Sequence, residues 1–273
     1  MRAILIDAAK AIAIWAALLA GNVVGAMLVT LPVAATGDGP LGAGHALLAV
    51  NALVAVALTP LAARLTGSFA RRAATLFLLL YLVETLLSTI ESWFFGPFLH
   101  LPAGLLGGLA IVNAVKSALA ALVAAWLWRG AGEAGPIGGL AWKLPAIVLF
   151  YIVLYFGAGQ LIAWQSAAVR AYYGQGLAID TGRLVLLQVG RGAIWAGLAW
   201  LLARTMRGSP PARAVLTGGA FAIVMAAPLL FPNALMPWAV RQVHLVEIGV
   251  SNFLFGLLAV LLLTWKGTRP AAE

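Results

Sequence analysis

The sequence predicts an all-α, polytopic transmembrane helical bundle of about eight spans, and three observations carry that prediction. Hydrophobic residues make up 63% of the 273-residue chain and charged residues only 9%, against roughly half and a quarter in soluble domains. The apolar residues fall in runs near the ~20 that a helix needs to cross a bilayer, about twice the length of a barrel strand and without its alternation. Clusters of Gly, Pro, Arg and Lys separate the runs, and the basic clusters recur at every second gap. Cysteine is absent, which excludes disulfides, thiolate metal sites and thiol catalysis. A formal charge of +9 would suggest nucleic acid in a soluble protein, but here its distribution accounts for it.

Span one, about 11–33, follows Arg2 and Lys10 and is long for the apolar region of a secretory signal, so it is read as a retained helix. It carries Asn22, and span two (45–63) carries Asn51. Span three (73–95) holds Glu84, Ser88 and Glu91, four and three residues apart and so on one helical face. Span four (103–128) does the same with Asn113, Lys116 and Ser117, and ends in the apolar run ALAALVAAWLW. Span five (144–167) contains the glycines of YFGAGQ (155–160), with Gln160 and Gln165. Span six (183–203) contains Gln188 and Arg191. Span seven (213–231) is the least regular, because Thr217, Gly218, Gly219 and Pro228 allow a kink or a re-entrant shape. Span eight (243–265) opens beside Arg241, which shares about 120° of arc with His244, Glu247 and Ser251, with Asn252 at its edge.

Basic residues set the orientation, since loops rich in Lys and Arg stay cytoplasmic. Arg2 and Lys10, then Arg64, Arg71 and Arg72, then Arg129 and Lys143, then Arg204, Arg207 and Arg213, then Lys266 and Arg269 place 12 of the 17 on one side. Both termini are therefore expected in the cytoplasm, with the chain multi-pass in the inner membrane. Trp15, Trp93, Trp126, Trp128, Trp142, Trp164, Trp238 and Trp265 lie near span ends, as an interfacial belt requires. Two segments recur. PLAARLTGSFARRAATL (60–76) resembles WLLARTMRGSPPARAVL (200–216), and FFGPFLHLP (94–102) resembles LLFPNALMP (229–237). They imply two four-helix halves, 1–130 and 143–273, in one orientation and related by an axis along the membrane normal. A cytoplasmic Gly-rich linker, 131–142, joins them.

The polar side chains gather at one depth. Glu91, Gln160, Gln165, Gln188, Arg191, Arg241, His244 and Glu247 fall in the outer half, and Glu84, Asn113 and Lys116 near the middle, while the cytoplasmic halves are almost wholly apolar. An ionisable residue inside a span costs about 2.5–3.5 kcal/mol and asks for a partner or a wet cavity. The expected site is an outward-facing polar pocket above an apolar plug, with Arg241, His244 and Glu247 at its mouth. Helix fastening by Glu84 or Glu91 with Lys116 or Arg191 is the competing structural reading.

Three chemistries are compatible with such a site. The preferred one is a secondary transporter or solute-binding membrane protein for a small polar or anionic substrate. Glu84 or Glu91 would be its proton-coupling residue and Arg191 or Arg241 its anion ligand, and there is no nucleotide-binding loop to drive it. The second is an intramembrane enzyme on a lipid-linked substrate at the outer face, with His244 beside Glu247 as an oriented base. The third places haem or a divalent metal on the outer-side histidines His45, His100 and His244, His244 and Glu247 having the i, i+3 spacing of paired ligands. That four-plus-four layout resembles haem A synthase, which implies haem. Span six carries Gln188 and Arg191 where that family has a histidine, and no motif of it is matched, so the family is not assigned. Expected partners are the bilayer and a small-molecule or lipid-linked substrate, with no nucleic acid; a homo-oligomer or a partner subunit is compatible with the composition.

Overall fold

The computed structural model describes residues 2–32, 37–130, 132–174 and 180–265. Among them there is no strand beyond one isolated bridge, and eight helices are long and apolar enough to cross a membrane. These are α1 (Arg2–Leu28), α2 (Ala43–Ala62), α3 (Phe69–Phe94), α4 (Leu105–Leu127), α5 (Lys143–Gln165), α6 (Thr181–Thr205), α7 (Pro210–Leu230) and α8 (Trp238–Thr264). Lys266 and Arg269, two of the residues that set the expected orientation, lie outside the described residues, as does Ala131 at the head of the linker.

Caps explain most of the shifts from the expected boundaries. Gly104, at φ +80°, starts α4 two residues later than expected, and Asp180 starts α6 two residues early by accepting from the Arg183 amide at 3.1 Å. Pro237 starts α8 five residues early, so Arg241 lies inside the helix. The first helix begins well before Lys10, which lies over the Trp128 ring at 4.5 Å. Helix α7 runs unbroken through Gly218 and Gly219, and Pro228 lies in a terminal 3-10 turn, so neither a mid-helix kink nor a re-entrant shape is present.

Helix α1 lies along α2 and α4, α5 along α6, and α7 along α8, while α2 meets α7 and α3 meets α6. Glycine allows the closest approaches. Gly25 of α1 rides on Val112 of α4, and Gly256 of α8 faces Gly218 of α7 backbone to backbone.

One end of the bundle is basic, and its cations do more than mark topology. Arg72 is 7% exposed, Lys143 3% and Arg213 0%, and none has a carboxylate partner among the described residues. Each donates to the last carbonyls of a helix. Arg72 reaches Ala125 O of α4 at 3.0 Å, Lys143 reaches Trp265 O at the end of α8 at 2.6 Å, and Arg213 reaches Ala203 O of α6 at 2.8 Å. Cations at helix C-termini satisfy orphan carbonyls and oppose the helix dipole.

The α2–α3 and α6–α7 turns meet at this end. Leu65 bridges Met206 antiparallel, Thr66 N donates to Thr205 O, and Arg207 N donates to Arg64 O, both at 2.9 Å. Gly67 and Gly208 both take positive φ, +91° and +115°, where a side chain would be strained.

Candidate functional site

A cavity of about 570 Å³ lies toward the other end, enclosed by α5, α6, α7, α8 and the last turns of α3. Its floor is a ring cluster. Tyr151, Trp195 and Phe255 line the cavity, and Trp195 and Phe255 pack on Phe221 beneath them, with Trp195 and Phe221 4.7 Å apart and Tyr151 and Phe255 5.6 Å apart. Below that layer the buried residues are small and apolar, including Ala199 and Ala203 of α6 and Ala259 of α8, so the cavity is closed toward the basic end.

Two polar groups stand in the walls. In the first, Arg191 Nη2 donates to Glu91 Oε2 at 2.8 Å and Nη1 to Gln188 Oε1 at 3.2 Å, while the Tyr155 and Tyr151 hydroxyls donate to Glu91 and Gln188. The Arg191 guanidinium is almost wholly buried and lies 5.8 Å from the Tyr155 ring centre, whereas Glu91 keeps about a quarter of its side chain open. In the second, His244 Nδ1 meets Glu247 Oε2 at 2.6 Å and Nε2 meets the Tyr173 hydroxyl at 3.1 Å. Tyr173 lies outside the spans, and its hydroxyl is pushed far above the ordinary tyrosine value, first by burial and then by Glu91, Tyr172 and Glu247. It therefore stays a phenol, and the His244 ring links that hydroxyl to the Glu247 carboxylate.

The expected site residues divide. Glu91, Gln160, Arg191, His244, Glu247 and Asn252 line the cavity together. Gln188 is fully buried behind the wall and acts through Arg191 and Tyr151. Glu84, Asn113 and Lys116 are elsewhere: Lys116 pairs with Glu84 between α3 and α4, where both side chains are nearly enclosed. The shared face expected for Glu84 and Glu91 is broken by a π-turn, Leu82–Leu86. One extra residue in a turn rotates the rest of the helix by about 100°, so Glu84 meets α4 and Glu91 meets α6.

Arg241 is not at a mouth. It is 0% exposed, donates to the Phe231 and Asp38 carbonyls, and pairs with Asp38 Oδ1 at 3.3 Å. Asp38 in turn accepts from the Trp238 amide at 2.8 Å and so caps α8. His45 and His100 are exposed outside the cavity, and among the described residues no three His, Asp or Glu converge to hold a metal ion. Of the metal-ligand set only His244 lies at the site.

Tyr151, Tyr155, Tyr173 and Trp195 join the site without having been expected there. Tyr151, Tyr155 and Gly159 recur every four residues along α5, a face signal hidden by the uniform apolarity of the span. Tyr173 ends a short helix, Ala167–Tyr173, capped by Ser166 within a stretch expected to be loop. No protein-family model, curated protein or solved structure matches the chain.

Proposed function

We propose that the chain is an inner-membrane solute-binding protein working as a secondary carrier, with the cavity between α5, α6 and α8 as its binding site. The observation that carries this reading is the pairing of ionisable side chains, Glu91 with Arg191 and Glu247 with His244, around an open volume inside apolar helices. Plain helix fastening needs no cavity, as the closed Glu84–Lys116 pair illustrates. The basic end is assigned to the cytoplasm on the distribution of Lys and Arg, which puts both termini inside and the cavity outside.

Two four-helix halves suit such a carrier. Support comes from the joined turns. Gly67, Ser68 and Arg72 have counterparts in Gly208, Ser209 and Arg213, each 141 residues later, one more than the direct alignment of the two segments gives. The hydrogen bonds Thr66 N to Thr205 O and Arg207 N to Arg64 O exchange under that spacing, as a two-fold axis between the halves requires. A rocking motion would have to part these turns and the ring cluster above them.

A second reading rests on the Tyr173–His244–Glu247 chain, which is the geometry of an oriented general base in an enzyme acting on a lipid-linked substrate. The two readings part at the floor. Ala199 lies one turn below Trp195 on α6, and Ala259 one turn below Phe255 on α8. Because the chain has no cysteine, Ala199→Cys and Ala259→Cys give single reactive thiols. In the carrier a small membrane-impermeant thiol reagent modifies them from the basic end. An enzyme with a permanent floor leaves both unmodified from either side.

A further inference from the structure

We infer that the occupant of this cavity is a small organic monocation with an apolar body, its positive group against Glu247. The inference rests on the cavity being a ligand site and assigns the class of ligand.

Among the described residues Arg191 is the one guanidinium in the wall, and it is unavailable to an anion. Arg191 is 3% exposed, and its two terminal nitrogens are engaged by Glu91 and Gln188. Glu91 and Glu247 bring two carboxylates to the wall against that one guanidinium, which engages Glu91 alone of the two. Glu247 is therefore the carboxylate left without a guanidinium partner among the described residues, and a carboxylate inside a span asks for a partner or a wet cavity.

Glu247 also has a free side. Its Oε2 faces His244, while Oε1 faces Gly159, where an added Cβ would stand 3.7 Å from Oε1 and 4.0 Å from the Trp164 ring. The absent side chain keeps a space between carboxylate and ring. Trp164 packs on Tyr173 with 6.0 Å between ring centres, and Tyr173 in turn packs edge-on against His244 at 5.9 Å. Aromatic faces beside a carboxylate attract alkylammonium groups through the ring quadrupole and the charge together. The floor rings Tyr151, Trp195 and Phe255 would take the apolar body.

The test is calorimetric titration of the full chain in lipid nanodiscs, with empty nanodiscs subtracted, using benzyltrimethylammonium, benzyl alcohol and phenylacetate as probes. The cation is expected to bind saturably and at least ten-fold more tightly than the alcohol or the anion. Glu247→Gln should weaken it ten-fold or more. Trp164→Leu, which removes a rim ring and no charge, should weaken it about three-fold or more. Phenylacetate or benzyl alcohol binding as tightly as the cation, or a Kd unmoved in both variants, would overturn the cationic assignment while leaving the cavity a ligand site. No saturable binding of any of the three would overturn both.

Discussion

Glu84→Gln is expected to lower the unfolding free energy by about 3–5 kcal/mol, the usual cost of removing one partner of a buried ion pair. Lys116 is 4% exposed and Glu84 is its carboxylate, so glutamine leaves an ammonium group enclosed between α3 and α4 without a counter-charge. The backbone gives it no escape. Gly21 of α1 packs directly on the Lys116 backbone, and the π-turn fixes the position of Glu84. The double variant Glu84→Leu, Lys116→Met removes both charges and should recover most of the loss. Unfolding by SDS titration in mixed micelles, followed by helical circular dichroism, measures both. If Glu84→Gln unfolds like the parent, the pair is not an enclosed structural contact. Equal losses in the single and double variants would place the effect in packing rather than charge.

Gly256→Leu is the second large effect. A Cβ at Gly256 would stand 2.7 Å from Gly218 Cα and 2.9 Å from Phe221 Cδ2, so the α7–α8 seam must open to accept any side chain. Overpacking a rigid seam costs roughly 1–3 kcal/mol and can cost more; the obstacle here is backbone, which puts the loss at about 3 kcal/mol or above. Phe221 belongs to the cavity floor, so ligand binding should weaken in parallel. Gly249 is the internal control. It lies two turns away on α8 with nothing within 4 Å of an added Cβ, and Gly249→Leu should be neutral in the same titration. A neutral Gly256→Leu would mean that the seam yields.

The spans were legible in the sequence because each is an apolar run of membrane length, and the basic clusters were legible because they interrupt those runs. The role of those clusters was not. Arg72, Lys143 and Arg213 read as loop charges, yet the carbonyls they cap belong to other helices that no local pattern names. The same limit governs the site. Charged residues at a common depth led to Glu91, Arg191, His244 and Glu247, because an ionisable group in a span needs a partner wherever it lies. Face-sharing then misassigned Glu84, since a π-turn has no signature in hydrophobic periodicity. Arg241 was misplaced because its partner, Asp38, comes from about 200 residues away. The aromatic half of the site stayed hidden because tyrosine and tryptophan in an apolar span look like ordinary lining.

A cavity that opens away from the basic turns is the central claim, and side-specific labelling of one thiol tests it most directly. Ser251 lines the cavity and Ser68 lies in the α2–α3 turn at the basic end. In sealed vesicles of one orientation, a membrane-impermeant thiol reagent should modify Ser251→Cys only from the side opposite to that which modifies Ser68→Cys, and benzyltrimethylammonium should slow the reaction at Ser251→Cys. Modification of both from one side, or a Ser251→Cys thiol that no reagent reaches from either side, would contradict it.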